Sequence, residues 1–245
     1  MRLWLYALGM CQSMFCALPF PWHGWEEKAR DRMLLCLPLI GLEIGFVWWG
    51  LAMLCGFWKL PQTLRAMVLA AAPYLLTGFM HLDGFMDVTD AVRSYRSLER
   101  RREILKDSHV GSFAVIGVVL VILGQYSACA SFKDEAELGV LILIPAVSRC
   151  CSVLAIQVLP PMSTSQYARR QPHVTAPLVM LVLALAFGFW MGMGAGLTLL
   201  GCILGFSLAL FRSYHSLQGM NGDISGYCLT MGELSSLITL AVIYP

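Results

Sequence analysis

The chain has 245 residues, of which 58% are hydrophobic and 13% are charged. Because soluble domains carry roughly 25% charged residues, this composition excludes an ordinary water-soluble globule. The net charge of +2 and the lack of basic blocks interleaved with aromatic residues argue against nucleic-acid binding. The nine cysteines are scattered and form no C-x-x-C pair, so neither a zinc site nor a disulfide framework is indicated.

Long apolar runs predict how the chain lies in a membrane, since about 20 apolar residues in a helix cross a bilayer core of ~30 Å. We expect an all-α, polytopic membrane helix bundle with about seven transmembrane helices, formed by residues 1–245 as a single domain. The apolar run at 3–18 is too short for a span and predicts an interfacial segment. The predicted spans are 34–57, 63–82, 111–131, 138–159, 175–193, 195–211 and 228–244.

Basic residues predict the orientation of these spans, because short loops rich in Lys and Arg stay in the cytoplasm. The segment 93–107 holds five arginines and one lysine, whereas the segment 133–137 is net acidic. Lys59 and Arg65 lie on the acidic side, against the trend. We therefore expect a protein of the cytoplasmic (inner) membrane whose active site faces the cytoplasm. The basic residues on the predicted cytoplasmic side are Arg93, Arg96, Arg100, Arg101, Arg102, Lys106, Arg169, Arg170 and Arg212.

An acidic stretch follows the second predicted span. Asp83, Asp87 and Asp90 are spaced i, i+4 and i+7, which places them on one face of a helix. No Lys or Arg lies between them to relieve their repulsion, so a bound cation is predicted, and all-oxygen sites suit Mg²⁺ or Mn²⁺. The alternative is a solvated helix face without a ligand. His81 precedes the first Asp and would act as a ligand, a proton relay or merely an interfacial residue.

A second polar patch precedes the third predicted span. Asp107 and Ser108 are predicted to cap that helix, and its N-terminus would then offer N–H groups to a phosphate. Lys106 adds a positive charge, and Gly111 permits a close approach. A helix cap without any ligand is the alternative.

Two further sites carry polar residues. Asn221 and Asp223 lie in a glycine-rich segment that is usually just a turn. Arg149 and Glu233 fall inside predicted spans, where an ionisable residue is costly unless it is paired. Arg149 needs an acidic partner or a phosphate, and the sequence leaves that choice open.

These motifs resemble those of the cobalamin synthase family, also called adenosylcobinamide-GDP ribazoletransferase. Four positions depart from the family pattern: Ala91 replaces a usual Gly, Asn221 a usual Thr, and Cys16 and Ala17 stand where Thr and Arg are typical. The resemblance runs along nearly the whole chain. The matching residues are His81, Leu82, Asp83, Gly84, Asp87, Asp90, Lys106, Asp107, Ser108, Gly111, Gly222, Asp223, Gly226 and Glu233, with Pro19, Pro21, Pro38, Leu39 and Gly41 nearer the N-terminus.

The resemblance implies a Mg²⁺-dependent phosphotransferase that joins adenosylcobinamide-GDP to α-ribazole or its 5′-phosphate. The products would be adenosylcobalamin or its phosphate, and GMP. The metal would be held by Asp83, Asp87 and Asp90, and one of these or Asp107 would take the hydroxyl proton. Lys106 and Arg149 would face the phosphate charge, and Asp223 and Glu233 would complete a second metal position or bind the ribazole. The other candidate substrate-binding residues are His81, Ser108 and Asn221.

Other Asp-cluster proteins remain as alternatives. A CDP-alcohol phosphotransferase expects D-x-x-D-G, whereas Asp90 is followed by Ala91 here, and a prenyltransferase also uses Asp clusters at span ends. A cation transporter would carry acids near the middle of several spans, whereas these acids cluster at one membrane edge. The implied partners are the two small-molecule substrates and the lipid bilayer, without nucleic acid, and the sequence is compatible with a homo-oligomer.

Overall fold

The computed structural model describes residues 2–22, 24–131, 136–162 and 173–244, and every named element in them is a helix. Arg169, Arg170 and most of the acidic loop 133–137 lie outside the described residues. Short 3₁₀ helices cover Glu27–Ala29, Leu34–Cys36 and Ala136–Ile142. The α-helices are α1 (Arg2–Phe15), α2 (Arg30–Met33), α3 (Leu37–Phe57), α4 (Gln62–Leu76), α5 (Met80–Arg93), α6 (Leu98–Ile104), α7 (Ser112–Ala130), α8 (Ile144–Val158), α9 (Thr175–Met191), α10 (Met193–Leu217) and α11 (Gly222–Ile243).

The predicted polytopic membrane bundle is confirmed. Within the described residues, five helical segments are long and apolar enough to cross a membrane. Helix α9 is a shorter apolar helix, and α4 and α5 pass the same test only as a pair bent by 88°. The total is consistent with about seven spans. The five segments are Glu27–Phe57, Ser112–Ala130, Leu138–Val158, Met193–Leu217 and Gly222–Ile243.

The predicted span 63–82 is wrong at its C-terminal end, because α4 already stops at Leu76. Thr77 closes α4 by donating its N–H and its hydroxyl to the carbonyl oxygen of Pro73. Gly78 (φ 58°) and Phe79 (φ 63°) then adopt left-handed backbone conformations, which a right-handed helix cannot continue through. The acidic stretch therefore forms a separate helix that leaves α4 at 88°.

Helix α8 lies at the centre of the bundle, with 83% of its span buried. Helix α3 packs tightly on it through Gly41 and Gly45, where a Cβ atom would overlap the backbone of Pro145 and Ile142. Small residues at such crossings let helix backbones approach closely in a membrane. This contact fixes α8 against one side of the bundle.

Helices α10 and α11 form an antiparallel hairpin on the other side of α8. Their link is the segment 218–221, and Gly201 and Gly205 of α10 face Thr239 and Ser235 of α11. Helix α5 packs across α11 and α7. Helices α9 and α10 also form a tight hairpin, since only Gly192 separates them and they pack against each other.

Helix α1 packs against this bundle with one side. Its residues Met10, Cys11 and Phe15 are buried in the core, and Gln12 donates a hydrogen bond of 3.1 Å to Glu43 of α3. Nearer its N-terminus, α1 exposes the apolar side chains of Trp4 and Leu5. A helix that is partly buried and partly exposed through apolar residues suits the interfacial position expected from the sequence.

Candidate functional site

Two glycines bring α5 and α11 into close contact at the site. A Cβ atom on Gly84 would lie 3.0 Å from Asp223 Cα, and one on Gly226 would lie 3.1 Å from the carbonyl oxygen of His81. Any larger residue would therefore push the two helices apart. The crossing places Asp83 of α5 beside Asp223 of α11, which are far apart in sequence.

A cavity of about 390 Å³ opens beside this crossing. Three polar segments that the sequence analysis singled out contribute to its wall. They are the acidic stretch on α5, the segment after α6 that contains Lys106, and the start of α11. The opposite wall is apolar and comes from α1, α3, α8 and α11. The polar residues lining the cavity are His81, Asp83, Lys106, Asn221, Asp223 and Ser225; the apolar ones include Phe15, Leu34, Leu37, Ile156 and Leu229.

Four carboxylates influence one another at this end of the bundle. Asp87 lies half-buried one turn beyond Asp83, and the charges of Asp83, Asp223 and Asp90 all act on it electrostatically. The helical-face prediction is thus confirmed for α5, and α11 adds a fourth acid. In the described part of the chain, no three His, Cys, Asp or Glu side chains form a ready-made metal cage.

Mg²⁺ does not need such a cage. It is usually held by one or two carboxylates, with water and substrate phosphates completing its octahedral shell. Asp83, Asp87 and Asp223 supply hard oxygen donors of this kind beside an open cavity. The chemistry of the donor set therefore fits a Mg²⁺ ion that is shared with a phosphate-bearing substrate.

Asn221 organises the α11 side of the cavity. Its side-chain oxygen accepts a hydrogen bond of 3.0 Å from the N–H of Ile224 and so caps α11. Its amide nitrogen donates to Asp223 Oδ2 at 2.7 Å. The segment expected to be a simple turn is therefore a helix cap that orients a carboxylate of the site.

Asp90 has a different position from its two neighbours on α5. Its carboxylate accepts hydrogen bonds from the N–H of Gly111 at 2.6 Å and of Ala114 at 2.9 Å, and so caps α7 from outside the helix. The prediction that Asp107 and Ser108 cap this helix is wrong, because Asp90 occupies the place. Asp90 therefore occupies two of the N–H groups at the N-terminus of α7 that were predicted to face a phosphate.

Replacing Asp90 by Asn is expected to destabilise the protein by about 1–2 kcal/mol, because an amide NH₂ would face a backbone N–H where an acceptor is needed. Thermal unfolding in detergent measures this loss. Asp107→Asn provides the matched control, since Asp107 is exposed and caps no helix. Equal unfolding temperatures for the two variants would contradict the capping role.

Asp107 and Ser108 are both exposed and do not line the cavity, unlike Lys106 just before them. Asp107 Oδ1 lies 2.7 Å from His109 Nδ1 and accepts the His109 N–H at 3.0 Å. These contacts hold the pKa of Asp107 below its usual value. A carboxylate that is exposed and more acidic than usual is a poor proton acceptor, so the geometry gives Asp107 little support as the base.

His81 is buried at the edge of the cavity, with 8% of its surface exposed. Its Nε2 atom has no hydrogen-bond partner among the described residues. Its backbone carbonyl accepts a hydrogen bond of 3.3 Å from the Thr230 hydroxyl, which ties α5 to α11. A buried, unpartnered ring nitrogen beside a cavity is suited to contact a substrate.

Arg149 and Glu233 form a buried ion pair behind the cavity. Their side chains are 1% and 9% exposed and lie 2.7 Å apart. Arg149 also donates to the carbonyl oxygen of Pro145, and the Ser148 hydroxyl donates to Glu233 at 2.8 Å. The acidic partner that Arg149 requires is therefore Glu233, and neither side chain lines the cavity. Their predicted substrate-binding roles stay predictions.

Sequence reasoning missed part of the cavity wall. Ser225 lines it and lies 2.5 Å, Oγ to Oγ, from Ser152 of α8. Met14 and Phe15 reach it from α1. Ser225 lies between Gly222 and Gly226, which match the family motif. Its position in the first turn of α11, close to Asp223, could have indicated that it lines the site. Nothing in the local pattern of α1 indicates that it folds back onto the site.

Comparison with known proteins agrees with these motifs. The family model of Cobalamin-5-phosphate synthase matches residues 7–241. An adenosylcobinamide-GDP ribazoletransferase of Clostridium perfringens is 32% identical over 99% of this chain and 100% of its own length. The proteins of the same name from Lachnoclostridium phytofermentans and a Roseiflexus species are 30% and 33% identical, covering 98% and 97% of this chain and 94% and 90% of their own lengths.

No solved structure matches the chain significantly. The identification therefore depends on sequence relatives and on the convergence of the same motifs at one cavity. Because the family model spans nearly all of the described helices, the chain belongs to the Cobalamin-5-phosphate synthase family.

Proposed function

We propose that this chain joins adenosylcobinamide-GDP to α-ribazole or its 5′-phosphate, giving adenosylcobalamin or its phosphate and releasing GMP. Relatives at full length carry the name of this reaction. The observation that carries the proposal is the cavity where Asp83, Asp223, Lys106 and His81 meet. Family membership favours this reaction over that of a CDP-alcohol phosphotransferase or a cation transporter.

The reaction is a displacement at phosphorus. A ribose hydroxyl of α-ribazole attacks the phosphorus attached to cobinamide, a new P–O bond forms, and the pyrophosphate P–O bond to GMP breaks. Such transfers depend mainly on positioning and on stabilising charge. Asp83 and Asp223 line the cavity, so we assign the hydroxyl proton to one of these two carboxylates, and Lys106 faces the phosphate charge.

We further propose Mg²⁺ as the cofactor, held by Asp87 together with whichever of Asp83 and Asp223 does not accept the proton. When bound, Mg²⁺ neutralises charge on the pyrophosphate. Asp90 supports these ligands indirectly, because its carboxylate anchors the start of α7 against α5. The apolar wall of the cavity is suited to the flat aromatic base of the ribazole, from which it excludes water.

The cavity is proposed to face the cytoplasm from the cytoplasmic membrane. Arg101 and Arg102 of α6 donate to the backbone carbonyls of Ser216 and Leu217 at the C-terminal end of α10. The basic segment is therefore fixed to the same end of the bundle as Lys106. A basic end supports a cytoplasmic orientation under the positive-inside rule.

The direct test uses purified protein in detergent with adenosylcobinamide-GDP, α-ribazole and Mg²⁺, and follows GMP release. GMP is expected to appear with Mg²⁺ and to be suppressed by a chelator, then restored when excess Mg²⁺ is added back. No GMP above a control without enzyme would contradict the proposed activity. Full activity in the chelator would contradict the metal requirement alone.

A further inference from the structure

A second cavity of about 520 Å³ lies on the side of α5 that faces away from the carboxylates, and α5, α7, α10 and α11 form its walls. Its deep part is lined by apolar side chains such as Phe85 and Val121. Ile116 and Leu120 of α7 lie at its open side and are more than half exposed. In a membrane-spanning bundle, this open apolar side faces lipid tails.

Two arginines stand at the polar end of the same cavity. Arg93 of α5 and Arg212 of α10 both line it, and both act electrostatically on Tyr227 of α11. Neither guanidinium has an ion pair or a side-chain hydrogen bond within the described part of the chain. Two exposed guanidinium groups on the wall of one cavity, neither with an ion pair of its own among the described residues, offer a binding position for an anion, and guanidinium groups favour phosphate in particular.

Thr89 provides an independent sign that a ligand is missing. It lines the cavity with 8% of its surface exposed, and its hydroxyl has no hydrogen-bond partner among the described residues. A buried hydroxyl without a partner costs free energy unless a ligand or water satisfies it. The methyl group of Thr89 packs closely on Gly117 of α7, where a Cβ atom would lie 2.9 Å from Thr89 Cγ2.

We propose that this cavity binds one anionic phospholipid, with the headgroup phosphate at Arg93 and Arg212 and an acyl chain along α7. Phe85 and Tyr227, which stack at a centroid distance of 5.3 Å, separate it from the carboxylate side of α5. An anionic phospholipid fits both the charge and the shape of the cavity. A small anion alone would leave the apolar wall uncovered, and an uncharged lipid would leave both arginines unpaired. The proposal does not depend on the proposed function.

The test is native mass spectrometry of the full chain in detergent, titrated with dioleoylphosphatidylglycerol or dioleoylphosphatidylcholine. Phosphatidylglycerol should bind the unaltered protein roughly thirtyfold more tightly, since each of the two basic residues adds about 1 kcal/mol and about 1.4 kcal/mol corresponds to a factor of ten. The double variant Arg93→Gln/Arg212→Gln should lose that preference. The double variant Arg96→Gln/Arg100→Gln removes the same charge from the same basic segment outside the cavity and should keep it.

Other outcomes overturn the proposal. An unchanged preference in Arg93→Gln/Arg212→Gln, or an equal loss in the control, would mean that general charge and not this cavity selects the lipid. Displacement of phosphatidylglycerol by millimolar inorganic phosphate would mean that the cavity takes a free anion. If the first double variant fails to fold, the isosteric Thr89→Val decides, because it should weaken phosphatidylglycerol binding without changing the protein's charge.

Discussion

Replacing Asp87 by Asn is expected to lower the rate of GMP release about a thousandfold, equivalent to about 4 kcal/mol of transition-state stabilisation. Asp87 lies on α5 between Asp83 and Asp90, and the charges of both, with that of Asp223, act on it. An amide of the same shape removes a hard anionic donor from the proposed metal position. Mg²⁺ titrations of the purified variant should also show weaker activation.

The same change should not weaken the fold, and this separates a functional role from a structural one. Four acids that repel one another destabilise the bundle, so removing one charge is expected to leave the unfolding temperature unchanged or raise it. Glu99→Gln is the matched control, since Glu99 is an exposed acid on α6. Full activity in Asp87→Asn would remove Asp87 from the metal site, as would an equal loss in Glu99→Gln.

Replacing Arg149 by Met is expected to be the most destabilising single change, costing about 3–5 kcal/mol, because it leaves the charge of Glu233 buried without its partner. The loss should appear as a large fall in the unfolding temperature in detergent. The double variant Arg149→Met/Glu233→Met removes both charges and should recover much of the loss.

An exposed ion pair provides the comparison. Arg100 and Glu103 lie 2.7 Å apart with side chains 63% and 62% exposed. Arg100→Met should therefore change stability by no more than about 1 kcal/mol. If Arg149→Met were equally mild, the buried pair would not stabilise the bundle. If Arg149→Met kept its stability but lost activity, the substrate-binding role predicted from the sequence would regain support.

Composition and hydropathy were enough to predict the membrane bundle, because long apolar runs leave a chain few alternatives. The same method failed at the end of α4. Leu76 through Leu82 are apolar enough to continue a span, but Gly78 and Phe79 turn the backbone through the left-handed region. A backbone turn of this kind leaves little trace in average hydropathy, so the bend between α4 and α5 was not predicted.

The candidate site was predicted best where spacing along one helix determines geometry. Asp83 and Asp87 share a face because of the helical period. Two other contacts could not be predicted from the sequence, because they are made by tertiary packing. Glu233 pairs with Arg149, and Asp90 accepts hydrogen bonds from N–H groups of α7. Asp107 was given a capping role from its position in the sequence and a catalytic role from the family resemblance, and the structure leaves it exposed beside His109.

The close crossing of α5 and α11 also has a consequence for biogenesis. Gly84 meets Asp223 only after α11 has entered the membrane, and α11 follows all the other described helices in chain order. At ordinary translation speeds the ribosome needs on the order of ten seconds to go from α5 to α11. Throughout that interval a nascent chain carries the acids of α5 without Asp223, so the wall of the cavity is complete only after α11 has been inserted.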